Sequence, residues 1–294
     1  MAREARPLWR FPQLVIVEFF EDDIFRYSAA LSFYTILSLA PLLVIVLGFT
    51  AIFVDVQSVK DELVNQVDEL IGTQGATVLT TVLQHAEANE SRNTATALGI
   101  IVSIFGATAV FAQLQDALNR VWGVQPAPGK FWRSLLMTRI ISFGVVLSIG
   151  FLLLISLLIS AVITTVSTNL SLELPGGSTI WYYIDTVTSL IIVTLLFTLL
   201  FRYLPDVRIA WRDVWVGALI TAVLFTLGKR LIGYYLGHSA VTSVYGAAGS
   251  LVALLFWIYY SALIIFFGAE IAQVYSRLYG RELRPRRFAY KVKP

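Results

Sequence analysis

Two adjacent basic residues, Lys229 and Arg230, directly precede a stretch from Leu231 to Ala269 that contains no Asp, Glu, Lys or Arg. Charged side chains in or beside such an apolar stretch are costly in lipid, so they usually face a bundle interior or water, where they can bind an anion. Neighbouring segments supply two tyrosines and a carboxylate. The candidate ligand-binding residues are therefore Lys229, Arg230, Tyr234, Tyr245 and Asp185.

The basic pair also has structural interpretations. Lys229 and Arg230 differ by about 100° around a helix, so both cannot point into one narrow lumen. Either side chain could instead extend to the headgroups at the membrane surface. Asp185, which we expect near the same side of the membrane, could form a structural ion pair with either of them. The sequence therefore leaves a ligand site, an ion pair and a headgroup contact open.

A second polar group lies where an apolar segment ends in QLQDALNRVWG, residues 113–123. Asp116 and Arg120 are spaced i, i+4, so they can pair on one helix face. Glu270, near the inner end of the last apolar segment, could bond to Arg120 or a neighbouring helix end, or act as a proton-coupling carboxylate. The candidate helix-end network is Asp116, Asn119, Arg120 and Glu270. Either it is a hydrogen-bonded structural end or it gates a substrate.

No residue pattern typical of catalysis occurs in the sequence. Cysteine is absent, the two histidines lie far apart, and neither a phosphate-binding loop with lysine nor a Ser-His-Asp grouping is recognisable. We therefore expect no enzymatic activity, no metal and no cofactor. The C-terminal basic residues suit anionic lipid headgroups and form too short a run to predict a nucleic-acid partner. They are Arg281, Arg284, Arg286, Arg287, Lys291 and Lys293.

The elements that must position these residues are membrane-spanning helices. Hydrophobic residues make up 57% of the 294 residues and charged residues only 14%, whereas a soluble domain carries about 25% charged residues. Crossing a bilayer takes about 20 apolar residues. Apolar runs of that order begin near residues 27, 93, 140, 181, 214 and 251. The predicted fold class is all-α, a polytopic bundle of six transmembrane helices.

The remaining segments are expected to belong to the same membrane domain, residues 1–294. Residues 1–26 mix apolar and charged side chains, which predicts a cytoplasmic amphipathic segment with an interfacial helix that leads into the first span. The acidic insertion at residues 55–92 shows helical periodicity, which predicts a small extracytoplasmic helical cap. Residues 280–294 form the basic tail, which we expect in the cytoplasm.

The orientation follows from counting Lys and Arg between the predicted spans. The N-terminal segment carries four, the Arg120–Arg139 loop four, the Arg202–Arg212 loop three and the tail from Arg277 seven. The intervening segments carry two in the insertion and none in residues 167–180. Segments rich in basic residues stay in the cytoplasm. We therefore expect six spans with both termini cytoplasmic.

Three stretches together resemble the YihY/BrkB family of bacterial inner-membrane proteins. They are SAALSFYTILSLAPL at residues 28–42, LQDALNRVWG at 114–123, and the run that joins YYLG, SVYG and FWIYYSALIIFFGAEI. The resemblance implies a six-span helical protein of the inner membrane, with family associations to virulence, serum resistance and envelope biogenesis. The family once carried a ribonuclease BN label, but no nuclease site is recognisable in this sequence.

Two functions remain open on the sequence. One is a transporter, or a protein that translocates a lipid or an anionic solute, with membrane lipids as partners. The other is a non-transporting scaffold for envelope biogenesis, which would bind envelope proteins through its outer helices and small-residue faces. A polar cavity that reaches Lys229 or Arg230 would favour the first function, and a solid bundle would favour the second. The sequence does not indicate an oligomeric state.

Overall fold

A computed structural model of the chain describes residues 10–50, 57, 60–61, 63–65, 68, 73–88, 109–127, 177–238, 249–279, 284–286 and 289–292. These residues are mostly helical. The helices are α1 (Arg10–Glu21), α2 (Ile24–Thr50), α3 (Thr73–Ala88), α4 (described over residues 109–121), α5 (Gly177–Tyr203), α6 (Trp211–His238) and α7 (Gly249–Tyr279). The strands are β1 (Val124–Pro126), β2 (Val207–Arg208), β3 (Arg284–Pro285) and β4 (Ala289–Lys291).

Three helices are long and apolar enough to cross a membrane. Their apolar segments are Thr186–Tyr203 in α5, Trp211–Gly228 in α6 and Leu251–Tyr279 in α7. They correspond to the predicted fourth, fifth and sixth spans, and α2 contains a shorter apolar segment, Ile24–Leu39. The predicted third span and most of the second lie outside the described residues. The count of six spans therefore stays a prediction.

The chain divides into two compact units. The first comprises Met1–Phe19, Leu118–Leu224 and Phe267–Pro294, and the second comprises Phe20–Ala117 and Phe225–Phe266. The predicted single domain with its segments 1–26, 55–92 and 280–294 stays a prediction.

In the first unit, α1 packs its apolar face on α7 and α6. Val15 of α1 is buried with Ile271 and Val274 of α7, and Val216 and Ile220 of α6 pack against the same cluster. The Arg277 guanidinium donates to the Glu18 carboxylate at 2.7 Å, which ties the polar side of α1 to α7. The helix predicted to be interfacial thus has a packing partner within this unit.

Small residues bring α6 and α7 into close contact in the first unit. A Cβ atom on Gly268 would overlap the Thr221 hydroxyl, and one on Gly217 would overlap the Gly268 carbonyl and lie 2.7 Å from the Ala272 Cβ atom. The Thr221 hydroxyl donates to the Gly217 carbonyl at 2.7 Å, so this polar group is satisfied within its own helix. Small residues at such contacts let membrane helices approach closely.

In the second unit, α3 packs on α2 and on the helical residues near 57–68. Leu79 and Leu83 of α3 are buried beside Leu39 of α2 and Leu63. Elsewhere in this unit, Trp257 is buried beside Ala253 and Leu254 of its own helix. The spacing of Leu79 and Leu83, four residues apart on one helix face, explains why this helix forms over an otherwise polar insertion.

Two short antiparallel ladders join the C-terminal tail to the loops that follow α4 and α5. In one ladder Val124 pairs with Lys291, and in the other Val207 pairs with Pro285. The Val292 amide extends the first ladder by donating to the Gly123 carbonyl at 2.8 Å. The predicted fold contained helices alone, because strands of two or three residues carry no periodicity that would reveal them.

Candidate functional site

The structure describes the backbone of four of the five predicted ligand-binding residues. Lys229, Arg230 and Tyr234 belong to α6 and Asp185 belongs to α5. Tyr245 lies outside the described residues, and so do the side chains of the other four. The anion site built on the basic pair therefore stays a prediction.

Three residues of the predicted helix-end network, Asp116, Asn119 and Arg120, lie near a well-defined end of α4. The Trp122 amide donates to the Leu118 carbonyl at 3.0 Å, and the Gly123 amide donates to the Arg120 carbonyl at 3.0 Å. Gly123 has φ 62°, the left-handed conformation that ends many helices and that glycine adopts without steric cost. This turn directs the chain into β1 and brings the last turn of α4 to the loop after α5.

Asn119 in that last turn bonds to Asp206 through both ends of its amide. Its Nδ2 atom donates to Asp206 Oδ2 at 3.0 Å, and its Oδ1 atom accepts from the Asp206 backbone amide at 2.7 Å. Asn119 is only 4% exposed. A buried side-chain amide must satisfy its donor and acceptor together, and Asp206 does both. The sequence placed Asn119 at this helix end and did not name Asp206 as its partner.

The C-terminal tail docks on the same loop. The Arg286 amide donates to the Asp206 carbonyl at 2.9 Å, and Arg286 Nη2 donates to the Arg202 carbonyl at 3.4 Å. Burial lowers the pKa of the Arg286 guanidinium, and the nearby Asp206 carboxylate opposes that shift. Asp206 thus links α4, the β2 loop and the tail.

Asp116 and Arg120 are placed differently from Asn119. Asp116 is exposed and Arg120 is partly buried. The ion pair that their spacing allows stays a prediction. Partial desolvation by the surrounding protein raises the pKa of the Asp116 carboxyl even though the side chain keeps solvent access.

Glu270 is fully buried, at 0% exposed, inside the apolar segment of α7. Gln273 and Ser276 follow at intervals of three residues and are buried on the same helix at 5% and 1% exposed. The Ser276 hydroxyl donates to Asp213 Oδ2 of α6 at 3.2 Å. Together they form a buried polar row on α7, which we define as Glu270, Gln273 and Ser276. The three-residue spacing of polar residues after Glu270 is the signal in the sequence that points to Gln273 and Ser276, which were not among the predicted site residues.

Hydrogen bonds such as those between Asn119 and Asp206 can hold helix ends together, and the Glu270 carboxyl group can carry a proton. A carboxyl group in an apolar interior exchanges between charged and neutral forms according to its surroundings. Among the described residues, no group of three His, Asp or Glu side chains could hold a metal ion.

Comparison with known proteins identifies the family. The model of the family described as "Virulence factor BrkB" matches residues 15–291. A UPF0761 membrane protein of Ralstonia nicotianae is 29% identical over 90% of this chain and 59% of its own length. Similar proteins from Delftia acidovorans and Legionella pneumophila are 30% and 28% identical, over 90% and 91% of this chain and 61% and 62% of their own lengths.

The chain therefore spans about three fifths of the length of these relatives. No solved structure matches the chain. The matched range covers nearly all of the helices and strands described above, and the relatives are membrane proteins by name. The chain is a membrane protein that belongs to the BrkB virulence factor family.

Proposed function

We propose that this chain is an inner-membrane protein with six spans and cytoplasmic termini, and that it translocates an anionic lipid or another anionic solute without altering it chemically. The observation that carries the proposal is the fully buried Glu270 within an apolar segment long enough to cross a membrane. An ionisable residue inside a membrane span is costly, and such residues typically mark ion or substrate pathways.

The surroundings of Glu270 support this role. The polar row on α7 continues through Gln273 to Ser276, whose hydroxyl contacts Asp213 of α6. A coupled carboxylate must exchange its proton with an aqueous side of the membrane. A row of polar groups that form hydrogen bonds along one helix face provides a route for that exchange. A purely structural contact between helices needs no ionisable group, since a hydroxyl such as that of Thr221 can satisfy its own hydrogen bond within its helix.

The translocation test uses the purified full-length protein in phosphatidylcholine vesicles with an imposed pH gradient. One arm follows fluorescent phosphatidylglycerol by dithionite quenching, with fluorescent phosphatidylcholine as the neutral probe. The other follows uptake of radiolabelled glycerol 3-phosphate, which carries the same anionic group without acyl chains. We expect the native protein to move an anionic probe. The rate of this movement should fall at least about tenfold in Glu270→Gln, because a proton-transfer group typically contributes about a hundredfold or more to a rate.

Glu21→Gln provides the matched control, because it makes the same chemical change at an exposed position on α1. The melting temperatures of both variants are measured so that misfolding is not read as loss of transport. Absence of protein-dependent movement in both arms contradicts translocation. Equal rates for native protein and a folded Glu270→Gln variant contradict the role of this carboxylate.

The orientation has its own test, because the chain contains no cysteine. We expect a cysteine introduced at Ser91 to react with an impermeant thiol reagent in intact cells and one at Ala127 to remain unreactive. The expectation rests on the basic residues that flank Ala127 in the Arg120–Arg139 loop, which should keep this loop in the cytoplasm. The reverse labelling pattern contradicts the proposed orientation.

The alternative function is an envelope-biogenesis scaffold, and one feature of the second unit favours it. An open groove of about 470 Å³ lies between α3 and the helical residues near 57–68, and its lining includes the polar side chains of Asn65, Asp68, Thr80 and Gln84. Such a surface suits contact with an envelope protein. The closed contact at Gly217 and Gly268 is also what a solid bundle requires. Failure of both transport arms, with copurification of an envelope protein that is lost on substituting Asp68, would favour the scaffold.

A further inference from the structure

Two arginines face each other across the short ladder between β2 and β3. Arg208 and Arg284 are directly opposite in the antiparallel register, and both are exposed. Like charges in directly opposite positions destabilise a strand pair. Within the described residues, no acidic side chain forms an ion pair with either arginine. The fold therefore holds two positive charges together at a cost in stability.

Two further arginines extend this group within the same unit. Arg286 follows β3 and donates through its Nη2 atom to the Arg202 carbonyl at 3.4 Å. Arg286 also lies within electrostatic range of both Arg202 and Arg208. The acidic group that faces them is Asp206, whose Oδ2 atom already accepts from Asn119. We define the arginine cluster as Arg202, Arg208, Arg284 and Arg286. Among the described residues, its four guanidinium groups face the one carboxylate of Asp206, which leaves them with an excess of positive charge.

Aromatic side chains adjoin the arginine cluster at the ends of two apolar segments. Tyr203 is the last residue of the apolar segment in α5, and Trp211 is the first residue of that in α6. Both are largely exposed, at 41% and 46%. The Arg202 guanidinium lies 4.4 Å from the centre of the Trp211 ring, and the two aromatic rings contact edge to face at 6.2 Å. Exposed Tyr and Trp at span ends are typical of the headgroup level of a membrane.

We propose that the arginine cluster binds the phosphodiester group of an anionic phospholipid, with Tyr203 and Trp211 packed along its glycerol and upper acyl chains. Guanidinium groups match phosphate oxygens in charge and in paired hydrogen-bond geometry. A soluble phosphate would use the arginines and leave the exposed aromatic pair without a role, whereas a lipid uses both. The site uses none of the residues Glu270, Lys229 and Arg230, and lipid would bind there whether or not the protein translocates anything.

The test titrates delipidated full-length protein in neutral detergent with phosphatidylglycerol and records the melting temperature. We expect phosphatidylglycerol to raise this temperature and phosphatidylcholine to leave it nearly unchanged. Each basic residue near an anionic lipid surface contributes roughly fivefold to affinity. Arg208→Gln with Arg284→Gln should therefore need about 25-fold more phosphatidylglycerol for half of the full shift. Without lipid this double variant should melt no lower than the native protein, because a repulsive pair is gone.

The control is Arg10→Gln with Arg26→Gln, which removes the same charge at exposed positions outside the arginine cluster and outside the C-terminal tail. Its half-saturating phosphatidylglycerol concentration should stay within about twofold of native. A native response in the cluster variant overturns the site, and so does an equal loss in the control, which would indicate general surface attraction. Inorganic phosphate that matches the effect of the lipid at equal phosphate concentration overturns the lipid assignment. If the double variant fails to fold, Arg208→Gln alone should show the fivefold loss, and an unchanged midpoint there overturns the proposal.

Discussion

Replacing Asn119 by alanine should destabilise the first unit measurably. The substitution removes the bond from Asn119 Nδ2 to the Asp206 carboxylate and the bond that Asn119 Oδ1 accepts from the Asp206 amide. A hydrogen bond to a charged group contributes about 1.5–3 kcal/mol and a neutral one about 0.5–1.5 kcal/mol. Their joint loss, at a residue only 4% exposed, should cost about 2–4 kcal/mol.

The assay is thermal unfolding of the purified protein in detergent, followed by intrinsic fluorescence. For a chain of this size, each kcal/mol lowers the melting temperature by about 2–4 °C, so Asn119→Ala should melt roughly 5–15 °C below the native protein. Asn65→Ala makes the same truncation at an exposed position in the second unit and should shift the midpoint little. A midpoint for Asn119→Ala that equals the native value refutes the reasoning.

Asn119→Asp keeps the shape of the side chain and removes the hydrogen bond that Nδ2 donates. It places a second carboxyl group 3.0 Å from Asp206 Oδ2, where Nδ2 now donates. Two carboxylates at this distance cannot both ionise, so one pKa must rise in the folded protein. A raised carboxyl pKa lowers stability as the pH rises through it. We therefore expect Asn119→Asp to be less stable than Asn119→Ala at neutral pH and to recover as the pH falls. A pH-independent difference between the two variants would contradict the assigned partner.

Three further substitutions test other contacts. Gly268→Ala should lower the melting temperature by overpacking against Thr221, a change that typically costs about 1–3 kcal/mol. An unchanged midpoint would mean that α6 and α7 can move apart without loss of stability. Arg277→Gln should loosen α1 by leaving the buried Glu18 without the 2.7 Å ion pair, seen as faster proteolysis of α1. Asp116→Asn should raise the melting temperature slightly at about pH 7 and leave it unchanged near pH 3, because the raised pKa of Asp116 disfavours folding only above its ordinary titration range. A gain of equal size at both pH values would contradict that cause.

The spans were the predictable part of this fold. Long apolar runs bounded by charged or Gly-rich segments predicted the apolar segments now seen in α5, α6 and α7. The family resemblance of residues 114–123 and of the last span is likewise confirmed by the match over residues 15–291. Hydropathy identifies a membrane helix because every backbone polar group must be satisfied inside the segment, which leaves few alternatives to a helix.

The partners of the polar side chains were not predictable in the same way. Asn119 was expected at a hydrogen-bonded helix end, but Asp206 lies 87 residues away in the chain. The Glu18–Arg277 ion pair joins residues 259 apart. Local spacing suggested Asp116 with Arg120, a pairing that stays a prediction. Spacing rules describe neighbours on one helix, whereas the partner of a buried amide is the complementary group that the fold places beside it.

The tail shows most clearly how a functional surface arises from long-range contacts. The sequence predicted that the basic residues of the tail, including Arg284 and Arg286, suit anionic lipid headgroups. In the structure the Arg286 amide donates to the Asp206 carbonyl, and this docking sets Arg284 opposite Arg208. Because Asp206 also holds Asn119, one residue fixes α4, the loop and the tail in a common position. The arginine cluster therefore exists only when the tail is docked, so its charge is a property of the fold rather than of any one segment.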